Sequence, residues 1–285
     1  MVGKELVPGL YFVATPIGAA RDITLRALDI LASADVLAAE DTRNTRRLLD
    51  IHGISLNGRP LVSYHDHNGA AKRPRLLADL LAGKTVAYVS DAGTPLVADP
   101  GFVLAREAIG SDIAVYTAPG PSALLAALTV AGLPTDRFYF AGFAPVKTKA
   151  RRDFLKSCAE VPGTLVFYES PKRLGKCLAD MVITLGAARP AVVCRELTKK
   201  FEQTRRAALG ELAAEYTTKS PKGEIVILVG AAEEKSPDKS ELQQSLRAAL
   251  RGGASLKDAV AMVTESSSVS RKLVYKIALS LEKKS

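Results

Sequence analysis

Apolar runs of strand length alternate with segments of helical period along most of this chain, and that alternation restricts the fold more than any other feature. "LYFVA" (10–14), "VLAAE" (36–40), "TVAYVS" (85–90) and "IAVYTA" (113–118) read as strands. "ITLRALDILASA", "RPRLLADLLAG" and "FVLAREAIG" between them read as helices. Strands separated by helices imply a mainly parallel sheet with crossover connections. A second series follows "PGPSALLAALTVAG", with strands near 137–143, 164–169, 190–195 and 224–229 and helices at 148–160 and 171–185. The expected architecture is therefore two α/β domains, residues 1–118 and 119–232, joined near Ala118 to Gly120.

The charged stretch "RELTKKFEQTRRAALGELAAEY" (195–216) is expected to form a turn and a helix before the last strand. Polar residues 230–241, with Pro237 among them, read as a linker, so residues 233–285 form a linker and a small helical tail. In that tail Ser255 and Asp258 have the spacing of an N-terminal capping box. Leu256, Val260 and Val263 mark one apolar face, and Leu273, Ile277 and Leu281 another. The closing segment "SRKLVYKIALSLEKK" carries five basic residues. They suit a helix-turn-helix on RNA or a solvated basic helix equally.

Charged residues make up 24% of the chain and no apolar run reaches membrane-spanning length, so a soluble protein without a membrane partner is expected. The short apolar run near the start reads as a first strand, not a signal peptide, which places the protein in the cytoplasm. Three scattered cysteines, Cys158, Cys177 and Cys194, fit buried thiols rather than disulfides or zinc ligands. The net charge of +9 favours a polyanionic partner.

Short motifs give little. "VATPIGAARDIT" lacks the glycine pattern of a dinucleotide fold, and "AGKT" (82–85) precedes a strand where a phosphate loop would follow one. "GPSAL" lacks the final glycine of a nucleophile elbow. His65 and His67 stand two apart without a third ligand, so a polar substrate-facing loop is the better reading and no metal is expected.

The stronger pattern is the recurrence of small and acidic residues after successive strands, because ligands of open α/β sheets bind outside the carboxyl ends of the strands. Pro16 and Gly18, Glu40 to Arg43, Asp91 to Pro95, Pro119 to Ser122, and Glu169 to Pro171 all occupy such places. Each singly is a turn or helix cap; together they describe a cleft.

The strings "VATPIG", "AAEDTRNTRRLL", "SYHDHN", "VSDAGTPLVADPGFVLAREAI", "PGPSALLAALTVAGLPTDRFYFAGF", "TLVFYESPKRL" and "RELTKKFEQ" closely resemble the small-subunit ribosomal RNA (cytidine-2′-O)-methyltransferases of the tetrapyrrole methylase superfamily. The resemblance implies an S-adenosyl-L-methionine site in a cleft between two α/β domains, a homodimer, and methylation of a cytidine ribose in the decoding region of 16S rRNA, free or in the small ribosomal subunit. It assigns cofactor contacts to Pro16, Gly93, Thr94, Val97, Ser122 and Ala123, with Tyr168 and Gly223 completing the adenine pocket. The proton acceptor is sought among Asp91, Asp99, Glu40 and Glu169, with Asp91 favoured because it comes first after its strand. Arg43, Arg46 and Arg47 would face RNA phosphates, and His65 and His67 the substrate. Ala19 and Ala20 replace an Asn and an aliphatic residue usual after "TPIG". Two alternatives stay open: a precorrin-type tetrapyrrole methyltransferase, and a noncatalytic RNA-binding ribosome-assembly protein.

Overall fold

Strand β1 (Gly9–Val13) is buried along its whole length, and its residues divide by parity between two cores. Tyr11 and Val13 face one cluster with Leu31, Leu37, Leu49 and Val89. Leu10 and Phe12 face the other, with Leu76, Tyr88 and Leu104. A strand apolar on both faces belongs in the middle of a parallel sheet covered by helices on either side. β1 lies there, in the order β3-β2-β4-β1-β5, with β2 (Val36–Ala39), β3 (Leu61–Ser63), β4 (Thr85–Val89) and β5 (Val115–Ala118). Every pairing in this sheet is parallel. The crossovers are α1 (Leu25–Ser33), α2 (Thr42–Ile51), α3 (Gly69–Leu81) and α4 (Phe102–Gly110).

These statements come from a computed structural model that describes residues 6–65, 67–97, 101–219, 221–232, 239–267 and 269–282.

The second sheet follows α5 (Ala123–Ala131) and has the order β6-β7-β10-β8-β9. Its strands are β6 (Phe138–Phe143), β7 (Thr164–Glu169), β8 (Pro190–Arg195), β9 (Gln203–Ala208) and β10 (Ile225–Val229). Only β6 and β7 run parallel; the other pairs are antiparallel. α5 covers one face through Leu124, Ala127 and Leu128 against Val166, Val192 and Leu228. α6 (Thr148–Cys158), α7 (Leu174–Leu185) and α8 (Leu209–Thr218) cover the other face. Cys158, Cys177 and Cys194 are buried free thiols.

The stretch 195–216 departs from the expectation of a turn and helix alone. It contains the edge strand β9 before α8 begins. "QTRRAA" has no apolar alternation to mark it, because its arginines find partners in three dimensions. Arg205 Nε donates to Glu215 Oε2 at 2.9 Å, and Arg206 Nε donates to the Ala131 carbonyl at the end of α5 at 3.0 Å.

Both sheets fall within one compact unit, residues 1–232. The change of sheet comes between β5 and α5. Residues 233–285 form a second unit with its own core. There α9 (Lys239–Arg251), α10 (Leu256–Ser266) and α11 (Arg271–Glu282) bury Leu246, Val260, Val263, Val274 and Ile277. Ser255 caps α10, accepting from Asp258 N at 3.2 Å. Of the expected α11 face, Ile277 and Leu281 are buried, whereas Leu273 is 49% exposed and Val274 is buried in its place. Residues 233–238 of the expected linker lie outside the described residues, and 239–241 begin α9. Among the described residues, no helix is long and apolar enough to cross a membrane.

Candidate active site

The loops after β1, β4 and β5 are tied to one another before any ligand is considered. Thr15 N donates to Gly93 O and Gly93 N to Thr15 O, each at 3.0 Å, so the first two loops share a backbone bridge. The buried Thr15 hydroxyl donates to Ser90 O at 3.1 Å, and Ser90 Oγ donates to Gly93 O at 2.7 Å. Thr94 Oγ1 donates to Pro121 O at 3.0 Å, which adds the third loop. Gly93 has φ +83°, a left-handed conformation that side chains resist, and a Cβ there would lie 3.3 Å from Ile17 Cγ2.

The second sheet closes on these loops through Tyr168 near the end of β7. Its hydroxyl accepts the Leu124 N–H in the first turn of α5 at 3.1 Å. Its ring meets Phe140 and Phe143 edge-on, with centroids 4.9 and 5.7 Å away. Burial pushes the Tyr168 phenol up, against the opposing hydrogen bonds of Leu124 and Ser122.

A second seam joins the β1 loop to the β8–β9 loop. A Cβ on Gly18 would meet Thr198 Oγ1 at 2.6 Å and Leu197 O at 3.0 Å, so only glycine permits this approach. Ala19 N donates to Thr198 Oγ1 at 3.1 Å, and Ala20 O lies 2.9 Å from His52 Nε2. Positions 19 and 20 thus make these contacts with backbone, and alanine serves at both. Thr198 itself has φ 63°, uncommon for a β-branched residue.

Between the seams lies a hollow of about 370 Å³. From the first half, Gly93, Thr94 and Val97 line it, followed by Ser122 and Ala123 at the start of α5. Tyr168 and Gly223 line it from the second sheet. Reading the sequence missed Ile17, Phe143 and Leu197 of its apolar wall, which Ile225 and Val226 of β10 complete. Pro16 does not line this hollow. It borders a neighbouring one of about 470 Å³, and Ile17, the next residue, borders both.

Asp91 also belongs to the neighbouring hollow, with Asn44, Arg47, Ser90 and Lys199. Its Oδ1 accepts the Asp41 backbone N–H at 2.9 Å. The residue reaches solvent at the rim, yet desolvation raises its carboxyl above the ordinary carboxylate range. The Asp41 N–H, a hydrogen bond from the Asn44 side chain and the charge of Arg43 pull the other way, whereas the Asp41 carboxylate adds to the rise. Asp41 caps α2, accepting from Arg43 N at 2.8 Å and Arg43 Nη2 at 2.6 Å, and these bonds hold it at about 2. Two neighbouring carboxyls are thus pushed apart, the condition in which one stays an anion while the other can exchange a proton.

The remaining acidic residues differ. Glu169 borders the first hollow, but its carboxylate is fully buried: Oε1 accepts from Ser170 N at 2.7 Å and Oε2 pairs with Arg173 Nη2 at 3.1 Å. It anchors the β7 end rather than facing an acceptor. Glu40 is half-buried after β2 and borders neither hollow. Asp99 lies outside the described residues.

Arg43, Arg46 and Arg47 share an exposed recess on α2 with Thr42 and Asp50, and Arg47 continues into the Asp91 hollow. His65 and His67 border neither hollow; their rings stand 5.9 Å apart, with His65 Nε2 3.1 Å from Asn68 Nδ2. Among the described residues no group of three or more His, Cys, Asp or Glu side chains is placed to hold a metal. Lys199, also missed in the sequence, enters from the β8–β9 loop with Nζ 2.9 Å from both Glu196 Oε1 and Glu224 Oε2.

Comparison with known proteins gives a consistent picture. The profile described as Tetrapyrrole (Corrin/Porphyrin) Methylases matches residues 9–213, and that described as RsmI C-terminal HTH domain matches residues 236–282. The chain is 52% identical over 244 residues to "Ribosomal RNA small subunit methyltransferase I" of Mesorhizobium japonicum, covering 85% of this chain and 82% of that protein. To the protein of the same name from Escherichia coli O157:H7 it is 45% identical over 272 residues, covering 95% and 94%. Among solved structures it resembles the cobalt precorrin-4 methyltransferase CbiF, with TM-score 0.59 and 20% identity over 78% of this chain and 94% of that one. It also resembles uroporphyrin-III C-methyltransferase from Thermus thermophilus complexed with S-adenosyl homocysteine, with TM-score 0.54 and 23% identity over 77% and 96%. At such identities these two structures share the fold.

Proposed function

The chain belongs to the ribosomal RNA small subunit methyltransferase I family of the tetrapyrrole (corrin/porphyrin) methylases, and from that premise we propose that it transfers a methyl group from S-adenosyl-L-methionine to the 2′-hydroxyl of a cytidine ribose in the decoding region of 16S rRNA. The observation that carries this reading is the pair of hollows separated by Ile17, one largely apolar and one holding Asp91, Asn44, Arg47 and Lys199.

The first hollow fits the donor. Its volume is of the size that small-molecule sites have. Ile17, Val97, Phe143 and Val226 offer an apolar wall to a flat heterocycle, and Thr94, Ser122 and backbone groups serve a polar remainder. Bound there, the donor supplies a methyl group made electrophilic by its sulfonium, so the chain needs to supply placement and a proton acceptor. Placement of two reactants can be worth roughly 7 kcal/mol or more of a barrier.

In the second hollow Asp91 takes the proton of the ribose hydroxyl as the oxygen–carbon bond forms and the sulfur–carbon bond breaks. Its raised proton affinity makes it a better acceptor than an ordinary carboxylate, and Asp41 keeps one of its oxygens fixed. The α2 arginines lie on the rim where phosphates of the same RNA would run.

The test is mass spectrometry of nucleosides from the rRNA of a deletion strain. Loss of one 2′-O-methylcytidine, restored by the wild-type chain and not by Asp91→Asn, is expected. An unchanged content of that nucleoside in the deletion strain would overturn the proposal.

A further inference from the structure

A second basic surface lies away from α2, in a groove of about 390 Å³ between α7 and α8. Its floor depends on Gly175, whose missing Cβ would lie 2.5 Å from the Tyr216 carbonyl oxygen, so the two helices approach more closely there than a side chain would allow. Lys172 and Lys176 border the groove from the α7 side, four residues apart and both exposed, and Lys219 borders it from the end of α8. No acidic side chain is among the groove's lining residues.

The three lysines are not equally free. Lys219 closes the C-terminus of α8, where a cation is favoured, and its Nζ lies 3.2 Å from Glu215 Oε1. Among the described residues Lys172 and Lys176 enter no ion pair, and the first turn of α7 contains no acid to offset them. Exposed helix lysines are ordinarily just solvated. What distinguishes this pair is position: Pro171 borders both the groove and the donor hollow, so the cations begin where that hollow ends.

We infer that the groove formed by Lys172, Lys176 and Lys219 holds the phosphodiester backbone of the RNA strand whose nucleotide enters the Asp91 hollow. The inference rests on the function proposed above and extends it. With the α2 arginines on one flank of the paired hollows and these lysines on the other, the strand crosses the mouth of the site and is held on both sides of the reacting ribose. Three lysines and no acidic side chain bordering one groove give it the charge to hold a chain of phosphates. Thr217 and Thr218 already direct their hydroxyls to carbonyls of their own helix, leaving the lysine charges as the groove's means of attraction.

The experiment measures binding of a small-subunit rRNA fragment to the full chain across a series of salt concentrations, for wild type and for Lys172→Gln/Lys176→Gln. Each lost phosphate contact should lower the slope of log affinity against log salt by about 0.7 to 0.9. The double variant should keep its affinity for S-adenosyl-L-methionine, and Lys172→Arg/Lys176→Arg should restore the slope. An unchanged slope in the Gln double variant, with wild type still methylating the RNA, would overturn the groove assignment alone. A wild-type chain that neither binds nor methylates rRNA would overturn the function itself. Protection of the two lysines from acylation by inorganic phosphate as effectively as by RNA would reduce the groove to a free-anion site.

Discussion

Asp91 Oδ1 accepts the backbone N–H of Asp41 at 2.9 Å, so the loops following β4 and β2 meet at a single carboxylate. The same N–H belongs to the residue that caps α2 and orients Arg43. The proposed proton acceptor and the arginine-bearing helix α2 are therefore set by one short backbone segment.

Asp91→Asn keeps an oxygen that can accept from Asp41 N but removes the basic group. Single-turnover transfer should fall by about 10²- to 10⁴-fold. The affinity for the donor, measured by calorimetry, should stay within a factor of two. Transfer at the wild-type rate would remove Asp91 from the reaction.

The pH dependence follows from the upward shift at Asp91. Acceptance of a proton needs the ionised form, so the rate should rise with pH through a midpoint above the ordinary aspartate value of about 3.9. Asn44→Ala removes a hydrogen bond that favours that form and should carry the midpoint higher still. Comparison of pH–rate profiles for the two proteins checks the direction.

Gly93→Ala forces a side chain into a left-handed conformation, at roughly 1 to 2 kcal/mol, and places a methyl 3.3 Å from Ile17 Cγ2. Differential scanning calorimetry should record a lower melting temperature. Donor affinity should weaken with it, because the displaced wall belongs to the donor hollow.

Tyr168→Phe leaves the Leu124 N–H without its acceptor, at a cost of about 1 to 3 kcal/mol if the group stays buried. The first turn of α5 borders the donor hollow, so donor binding should weaken while RNA binding does not. Equal loss of both would show a global effect.

Asp180 is buried and shared by Arg151 and Arg152, with Nε donors 2.7 and 2.6 Å away. Burial raises its carboxyl, but the two guanidiniums outweigh that and hold it below the ordinary value. Its stabilising contribution is present above the unfolded-state value and is lost as pH falls through the lowered one. Arg151→Met should destabilise by roughly 3 kcal/mol, near the low end for a broken buried pair because Arg152 remains. Unfolding by denaturant at neutral pH and in acid measures both effects.

The parallel core was legible because β1 and β4 are buried on both faces, as strands covered by helices on either side must be. β9 was not: the partners of Arg205 and Arg206 lie in α8 and at the end of α5, and local sequence carries no trace of them. In α11 the i, i+4 spacing found Ile277 and Leu281, but packing against α9 and α10 buries Val274 where that spacing put Leu273. At the site, Thr94 and Ser122 were reached through the family resemblance of the strings that hold them, because a hydroxyl after a strand is by itself a turn or cap residue. Ile17 and Leu197 were not identified, because a ligand's apolar wall is indistinguishable from core until its open side is seen. Lys199 was hidden for a different reason: Glu224, one of its two carboxylates, lies 25 residues away.

The double backbone bridge between Thr15 and Gly93 has a thermodynamic corollary. Ile17, two residues beyond that bridge, borders both of the hollows proposed for the two reactants. An occupant that shifts Ile17 from one side alters the space left on the other, and reciprocity requires the influence to be equal in both directions. Methyl donor and polynucleotide should therefore bind cooperatively, each changing the dissociation constant of the other by the same factor.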